Sequence, residues 1–145
     1  MGITSPSMQS KRPLLLTAVD LDGSLGYLRE SMENWYSRPV FFVADARNSI
    51  DFYQGKLGFS LDWNYEEDGR PYVCQVSRHD LDLILAVDAT RAGQGRVFIS
   101  LDAEQVAALR RDLKRNDVDA RDSRWGMPII EVLDPDGNEL YFSPP

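Results

Sequence analysis

The longer part of the chain repeats one order of predicted elements at an interval of about sixty residues. In the first copy an apolar strand leads into a helix and three strand-like runs, which read "RPVFFVAD", "ARNSIDFYQGKLGF", "SLDWNYEED", "RPYVCQVS" and "LDLILAVD". In the second copy the corresponding segments read "GRVFISLD", "AEQVAALRRDLKRNDV", "DARDSRW", "MPIIEVLD" and "ELYFS". Each copy is therefore predicted to be one βαβββ unit.

The repeat predicts the fold class. We expect an α+β fold in which two βαβββ repeats, residues 38–90 and 95–145, form curved mixed sheets around a pocket in a single domain. Turn residues separate the strands at Gly69, at His79-Asp80 and in "DPDGN". The first helix is predicted to end at Gly58 and the second at Asn116-Asp117.

Residues 1–37 precede the repeat as an extension. Their stretch "VDLDGSL" follows an apolar run, and in that position it resembles the nucleophile motif of haloacid dehalogenase-type phosphatases. Such a phosphatase needs a larger core of alternating strands and helices, which the rest of the chain does not supply. We therefore interpret the stretch as a turn and helix cap. The apolar stripe of Leu25, Leu28, Met32 and Trp35 predicts an added helix near residues 24–36.

The composition argues against several classes of binding partner and site. The chain has 145 residues and a formal net charge of −7, which argues against nucleic acid and anionic membranes as partners. The apolar run around Leu15 is far too short to span a membrane, so a cytoplasmic location is the default expectation. The single cysteine, Cys74, excludes an internal disulfide and a multi-cysteine zinc site, and in a strand it is typical of inert packing.

Two motifs carry a resemblance to a known family. "FFVADARNSIDFYQGKLGF" resembles the opening strand and helix of the vicinal oxygen chelate superfamily, and "VLDPDGNELYF" resembles its closing strand, turn and strand. The superfamily includes glyoxalase I, extradiol dioxygenases, fosfomycin-resistance proteins and bleomycin-resistance proteins. The resemblance extends from Arg38 to Ser143. It implies the fold, whereas the activity has to be argued from the site, because this fold carries many functions.

The resemblance also implies where a metal ion would bind. Enzymes of the superfamily hold a divalent metal on four side chains, usually His, Glu or Gln, one on each of four strands. The corresponding positions here are Arg38, Ile84, Arg96 and Tyr141. Arginine offers no lone pair and isoleucine no donor atom, so we predict no metal centre and no other cofactor. The alternative is a metal-dependent glyoxalase-type lyase or extradiol dioxygenase whose ligands stand at other positions.

The stretch "RWGMPIIEVLDPDGNELYF" is similar to the corresponding stretch of bleomycin-resistance proteins. Those proteins sequester a drug without chemistry, typically as homodimers whose ligand grooves lie at the subunit contact. The resemblance therefore implies a metal-independent protein that binds a small molecule, with aromatic side chains beside flat ligand rings and a role in antibiotic resistance. The predicted ligand-binding residues are Arg38, Phe42, Trp63, Tyr65, Tyr72, Ile84, Arg96, Trp125 and Tyr141.

The sequence leaves three alternatives open. Arg38 and Arg96 bind an anionic group of the ligand if they face the pocket, or they pair with nearby acids or point to water, which we favour. The aromatic residues either line a cavity or fill the core, and in a structural or regulatory module without a ligand they would fill the space between the sheets. The halves pair either within one chain or between two subunits.

Overall fold

A computed structural model describes residues 2–3 and 35–145 of the chain. Of these, residues 2–3 and 38–145 belong to one compact unit. Two predicted features lie outside the described residues. They are the stretch "VDLDGSL" and, except for residues 35 and 36, the helix near residues 24–36. Within the described part of the chain, no helix has the length and apolar character needed to cross a bilayer.

The described elements follow the predicted βαβββ order twice. The first half contains β2 (Val40–Val43), α1 (Ala46–Gly55), β3 (Ser60–Glu67), β4 (Arg70–Arg78) and β5 (Leu81–Val87), preceded by the short strand β1 (Gly2–Ile3). The second half contains β6 (Arg96–Ser100), α2 (Ala103–Arg115), β7 (Ala120–Arg124), β8 (Pro128–Leu133) and β9 (Glu139–Ser143). The α+β class and the repeat are thus confirmed.

Each half contributes one mixed sheet. The strand order is β1-β3-β4-β5-β2 in the first sheet and β6-β9-β8-β7 in the second. The first strand of each repeat pairs in parallel with the last, β2 with β5 and β6 with β9, while the other pairs are antiparallel. A parallel pair needs a crossover connection, which α1 and α2 begin in their respective halves.

Side-chain caps set where the two helices begin. The carboxylate of Asp45 accepts hydrogen bonds from backbone N–H groups of the first turn of α1, and Asp102 forms a capping box at α2. The helix α1 ends at Gly55, three residues before the predicted Gly58, because the chain already turns toward Gly58, which has a φ of +73°. The cap of α2 at Asn116 agrees with the prediction.

Both sheets turn one face toward the same hydrophobic core, which the helices fill. The core includes Phe41, Val43, Cys74, Val76, Leu83 and Leu85 from the first sheet, Ile130, Val132, Leu140 and Phe142 from the second, and Ile50, Tyr53, Leu109 and Leu113 from the helices. Burial raises the pKa of the Cys74 thiol to about 12, so the thiol stays protonated and packs as an inert side chain. The opposite faces of the two sheets are consequently directed away from the shared core.

A buried polar cluster fastens the two halves to each other. Asn138 donates through Nδ2 to the carbonyl oxygen of Phe42 at 3.0 Å and to Asp134 Oδ2 at 2.9 Å. Its Oδ1 accepts from the backbone N–H of Gly95 at 2.8 Å. The hydroxyl of Tyr53 donates to Asp134 Oδ2 at 3.0 Å, and burial together with the Asp134 charge raises the pKa of Tyr53 well above its usual value. We call this cluster the Asn138 clamp.

The linker between the halves lies against the closing turn. Gly93 has a φ of +80°, and its backbone N–H donates to the carbonyl oxygen of Phe42 at 3.3 Å. A Cβ atom at Gly93 would lie 2.1 Å from the carbonyl oxygen of Asp136. Asp136 Oδ1 in turn accepts from the backbone N–H of Ala44 at 3.0 Å. The turn "DPDGN" therefore joins β8 to β9 and also docks against the first half.

Candidate ligand-binding site

The predicted ligand-binding residues of the first half lie mostly on the face of the first sheet that points away from the core. Cross-strand partners share a face, so the pairs Trp63–Gln75, Gln75–Ile84 and Ile84–Val40 form one row across four strands. The next row contains Tyr65 and Phe42. We call this surface the Trp63 face, and it includes Arg38, Val40, Phe42, Asp62, Trp63, Tyr65, Gln75, Ser77, Asp82 and Ile84.

The second sheet presents an equivalent surface. Phe98, Tyr141, Glu131 and Arg121 pair in one row across its four strands. We call this surface the Trp125 face, and it includes Arg96, Phe98, Arg121, Trp125, Ile129, Glu131, Glu139 and Tyr141. Because the halves repeat, Tyr141 corresponds to Ile84 of the first sheet and Arg96 corresponds to Arg38.

Directed hydrogen bonds connect the polar side chains of the Trp63 face. Arg38 Nη1 donates to Gln75 Oε1 at 2.8 Å, and Gln75 Nε2 donates to Asp62 Oδ2 at 2.9 Å. Ser77 Oγ donates to Asp62 Oδ1 at 3.0 Å. A bulge in β3 places Asp62 beside these partners. Gln75 and Trp63 are buried, with 0% and 3% of their surface exposed, so this face combines an apolar ring with a buried polar network.

The other predicted aromatic residues of the first half lie apart from Trp63. The guanidinium carbon of Arg91 lies 4.3 Å from the ring centroid of Phe42 and covers that ring. Tyr65 and Tyr72 form an edge-to-face pair with ring centroids 6.5 Å apart, near the β3–β4 hairpin. The predicted aromatic residues of the first half therefore form no single surface, and Tyr72 lies near the end of the β3–β4 hairpin.

On the Trp125 face, three aromatic rings contact one another in series. The ring centroids of Phe98 and Trp125 are 5.8 Å apart, and those of Trp125 and Tyr141 are 4.6 Å apart. Phe98 is 45% exposed and Trp125 51%, whereas Tyr141 is buried. The chain turns at Gly126, which has a φ of +77°. The backbone N–H of Trp125 donates to the carbonyl oxygen of Met127 at 3.0 Å. This turn holds Trp125 over the sheet, so the rings of Trp125 and Phe98 are open to solvent while Tyr141 lies beneath them.

Charged side chains border this aromatic surface in pairs. Arg96 Nε lies 3.6 Å from Glu139 Oε1, which also accepts a hydrogen bond from the hydroxyl of Tyr141. That bond raises the pKa of Tyr141, so the phenol stays protonated at neutral pH. Arg121 Nη2 lies 2.6 Å from Glu131 Oε1 and lowers the pKa of that carboxyl. Arg96 thus pairs with a nearby acid, which is the interpretation that the sequence favoured.

The four positions that correspond to metal ligands do not fit a divalent cation. Arg38 and Ile84 belong to the Trp63 face, while Arg96 and Tyr141 belong to the Trp125 face. Two guanidinium groups, an alkyl group and a protonated phenol offer no ligand set that a divalent metal prefers. Among residues 2–3 and 35–145, no group of three or more His, Cys, Asp or Glu side chains is arranged to hold a metal ion.

Sequence reasoning missed several residues that shape these faces, among them Phe98 and Asp62. Phe98 lies two residues after Arg96 on β6, so strand alternation places both side chains on one face and would have identified Phe98. Asp62 was not identifiable in this way, because the bulge between Leu61 and Trp63 interrupts the alternation. Ligand binding by the nine predicted residues stays a prediction.

A groove of about 420 Å³ lies between the halves, and Phe98 is one of its lining residues. Leu57, Leu81 and Phe142 line it with apolar surface, and His79 lies in its wall at the predicted turn. The volume is within the range of small-molecule sites. The groove is therefore a second concave surface, which has Phe98 in common with the Trp125 face.

Comparisons with known proteins agree with this fold. TnmS3, an antibiotic binding protein from Streptomyces sp. CB03234, is 24% identical, with a TM-score of 0.60 over 79% of this chain and 98% of that chain. The bleomycin-binding protein from bleomycin-producing Streptomyces verticillus, complexed with copper(II)-bleomycin, is 20% identical, with a TM-score of 0.60 over 78% and 98%. Lactoylglutathione lyase from Agrobacterium tumefaciens is 16% identical, with a TM-score of 0.58 over 77% and 95%.

These similarities establish a shared fold. No curated protein sequence matches the chain significantly. A family model described as Glyoxalase/Bleomycin resistance protein/Dioxygenase superfamily matches residues 35–142, which include both repeats and both quoted motifs. The match confirms the resemblance that the motifs predicted. The chain belongs to the Glyoxalase/Bleomycin resistance protein/Dioxygenase superfamily.

Proposed function

We propose that this protein binds a flat aromatic small molecule on the Trp125 face and sequesters it without a metal ion and without chemical conversion. The observation that carries the proposal is the series of rings Phe98, Trp125 and Tyr141, in which the first two are exposed and stand over the buried third. Exposed apolar patches of this kind mark binding surfaces, and aromatic side chains combine large contact area with stacking geometry. The names of two structurally similar proteins, an antibiotic binding protein and a bleomycin-binding protein, support the same class of ligand.

The proposal includes a second copy of the chain. Because both sheets direct their other faces away from one shared core, a ligand on the Trp125 face has one wall from its own chain. In our proposal the Trp63 face of a second copy supplies the opposite wall. Val40 and Phe98 occupy equivalent edge positions of the two sheets and are 47% and 45% exposed. A two-fold axis would bring these edges together twice and would complete two identical sites.

The charged groups of the site agree with binding rather than catalysis by a metal. Arg96, Arg121 and the carboxylates of Glu139 and Glu131 neutralise one another at the edge of the aromatic surface. A metal-dependent lyase or dioxygenase would instead need several neutral or anionic donor atoms directed at one point. Measurement of metal content after mild purification separates the two functions, and stoichiometric metal would contradict the proposal.

Trp125→Ala is expected to weaken ligand binding about tenfold to a hundredfold, because it removes the central ring of the aromatic series. The measurement is a calorimetric titration of the full chain with metal-free bleomycin and with 2-acetonaphthone, a small flat aromatic ketone. Tyr72→Ala is the matched control: although the sequence predicted Tyr72 as a ligand contact, it is an exposed aromatic residue at the end of the β3–β4 hairpin and is not part of the Trp125 face. The absence of binding by both probes, or equal losses in the two variants, would contradict the proposal.

Phe98→Glu is expected to convert a dimer into a monomer, because it places a charge in the proposed contact between sheet edges. Light scattering during size-exclusion chromatography should give twice the chain mass of 16.5 kDa for the wild-type protein and the chain mass for the variant. Tyr72→Glu, at a side chain that is 41% exposed, should remain dimeric. A monomeric wild-type protein, or a dimeric Phe98→Glu variant, would rule out the proposed arrangement.

A further inference from the structure

The indole nitrogen of Trp63 is a buried hydrogen-bond donor without an acceptor among the described residues. The side chain is 97% buried, since 3% of its surface is exposed, and it lies on the face that the proposed second copy contributes to the ligand site. A buried donor that forms no hydrogen bond costs free energy, and native proteins contain few such groups. This donor therefore calls for an explanation outside the packing of the core.

The polar side chains nearest to Trp63 in the sheet are engaged with other donors. Gln75, its cross-strand partner, accepts from Arg38 at 2.8 Å. Asp62 accepts from Gln75 through one oxygen at 2.9 Å and from Ser77 through the other at 3.0 Å. The acceptor atoms of this network are thus directed at other donors. The indole N–H of Trp63 forms no hydrogen bond with them.

We infer that the Trp63 N–H donates a hydrogen bond to a neutral carbonyl oxygen of the ligand, so that the ligand class is an aromatic ketone, quinone or amide. This inference rests on the proposed function. A neutral acceptor suits the face better than a carboxylate, because Asp62 and Asp82 place two acidic side chains there and Arg38 one basic side chain. The guanidinium of Arg91, over Phe42, is paired with Asp88 at 2.9 Å and leaves this balance unchanged. The ring of Trp125 then stacks on the ligand, while Trp63 of the second copy recognises its oxygen.

The buried position of the indole nitrogen has a kinetic consequence. A ligand oxygen reaches this atom after the side chains that cover it move. Binding steps that need such a rearrangement are slower than simple docking. We therefore expect the ketone to associate more slowly than a hydrocarbon of the same shape, although it binds more tightly.

The test compares three naphthalenes that differ in one group. 2-Acetonaphthone carries a carbonyl, 2-isopropenylnaphthalene has a CH₂ group in place of that oxygen, and 2-naphthoate carries a carboxylate. We expect the wild-type chain to bind the ketone about tenfold more tightly than the alkene, because one hydrogen bond to a buried donor changes the affinity by about that factor. In Trp63→Phe, which keeps a ring but lacks the donor, the ketone and the alkene should bind equally.

A second measurement uses the wild-type chain. In a ¹H–¹⁵N spectrum, the indole signal that Trp63→Phe removes should move downfield with 2-acetonaphthone and stay in place with 2-isopropenylnaphthalene. Equal affinities for ketone and alkene in the wild type, tightest binding of 2-naphthoate, or an indole signal that the ketone leaves unmoved would overturn the inference. If the alkene binds in a manner that depends on Trp125 while the ketone has no advantage, the inference fails and the proposed function stands. If none of the three naphthalenes binds but metal-free bleomycin does, the inference fails and the proposed function stands; if bleomycin does not bind either, both fail.

Discussion

Gly93→Ala is expected to lower the free energy of unfolding by about 3–5 kcal/mol, the largest effect that we predict for a single methyl group. An added Cβ would lie 2.1 Å from the carbonyl oxygen of Asp136 and 3.0 Å from its carbonyl carbon. Both are backbone atoms of the closing turn, so neither can rotate away. The φ of +80° adds strain for any residue that carries a Cβ. Urea unfolding followed by circular dichroism measures the change.

Two other glycines separate the causes of this effect. Gly69 has a φ of +74°, and a methyl group added there would meet open space, since no atom lies within 4 Å of its Cβ position. Gly69→Ala should therefore cost about 1 kcal/mol from backbone strain. Gly55, at the end of α1, also has open space, and Gly55→Ala should be neutral or stabilise by up to about 1 kcal/mol. If Gly93→Ala costs no more than Gly69→Ala, the close approach of the linker to the turn does not constrain the fold.

Asn138→Ala is expected to cost about 3–4 kcal/mol, because it breaks the Asn138 clamp. The buried amide side chain donates to the Phe42 carbonyl oxygen and the Asp134 carboxylate, and it accepts from the Gly95 backbone N–H. Alanine offers none of these groups a partner, and a buried polar group without a partner loses its hydration with no compensation. Urea unfolding again measures the loss, and the unfolding slope reports whether the denatured state has changed.

Asn116→Ala is the matched control for this variant. Its side-chain amide donates to the carbonyl oxygen of Lys56 at 3.0 Å, but this contact is exposed. Water can replace the bond, so the loss should be below about 1 kcal/mol. A similar loss in the two variants would mean that the Asn138 clamp contributes no more than an ordinary surface contact.

The sequence predicted the fold well because its signals are local and occur twice. The run "ELYFS" matches β9 from Glu139 to Ser143, since the preceding "DPDGN" turn fixes where the strand begins and its aromatic residues favour a strand. The end of α1 was three residues too late, because Gly58 is the left-handed residue of the turn and the hydrogen bonds of the helix stop before it. The homodimer and the cytoplasmic location stay predictions.

The candidate site was predictable in part. Alternation grouped Phe42 with Val40, and Ile84 with Asp82, which agrees with the strand pairing because these residues belong to regular strands. Local patterns could not show that the two faces point away from one core, since that depends on how the helices of both halves pack together. The unpaired indole N–H of Trp63 could not be predicted either, because it depends on a bulge in β3 and on the hydrogen bonds that neighbouring side chains make with the nearby acceptors.

The order of strands in the second sheet also bears on how the protein is made. In that sheet β9 lies between β6 and β8, and it supplies Leu140 and Phe142 to the shared core. A ribosome synthesises β9 after every other described element, so the part of the core that Leu140 and Phe142 fill stays open until then. Closure over such long sequence separations slows folding and exposes the growing chain to aggregation. We therefore expect the second sheet to close around its core only after β9 has been synthesised.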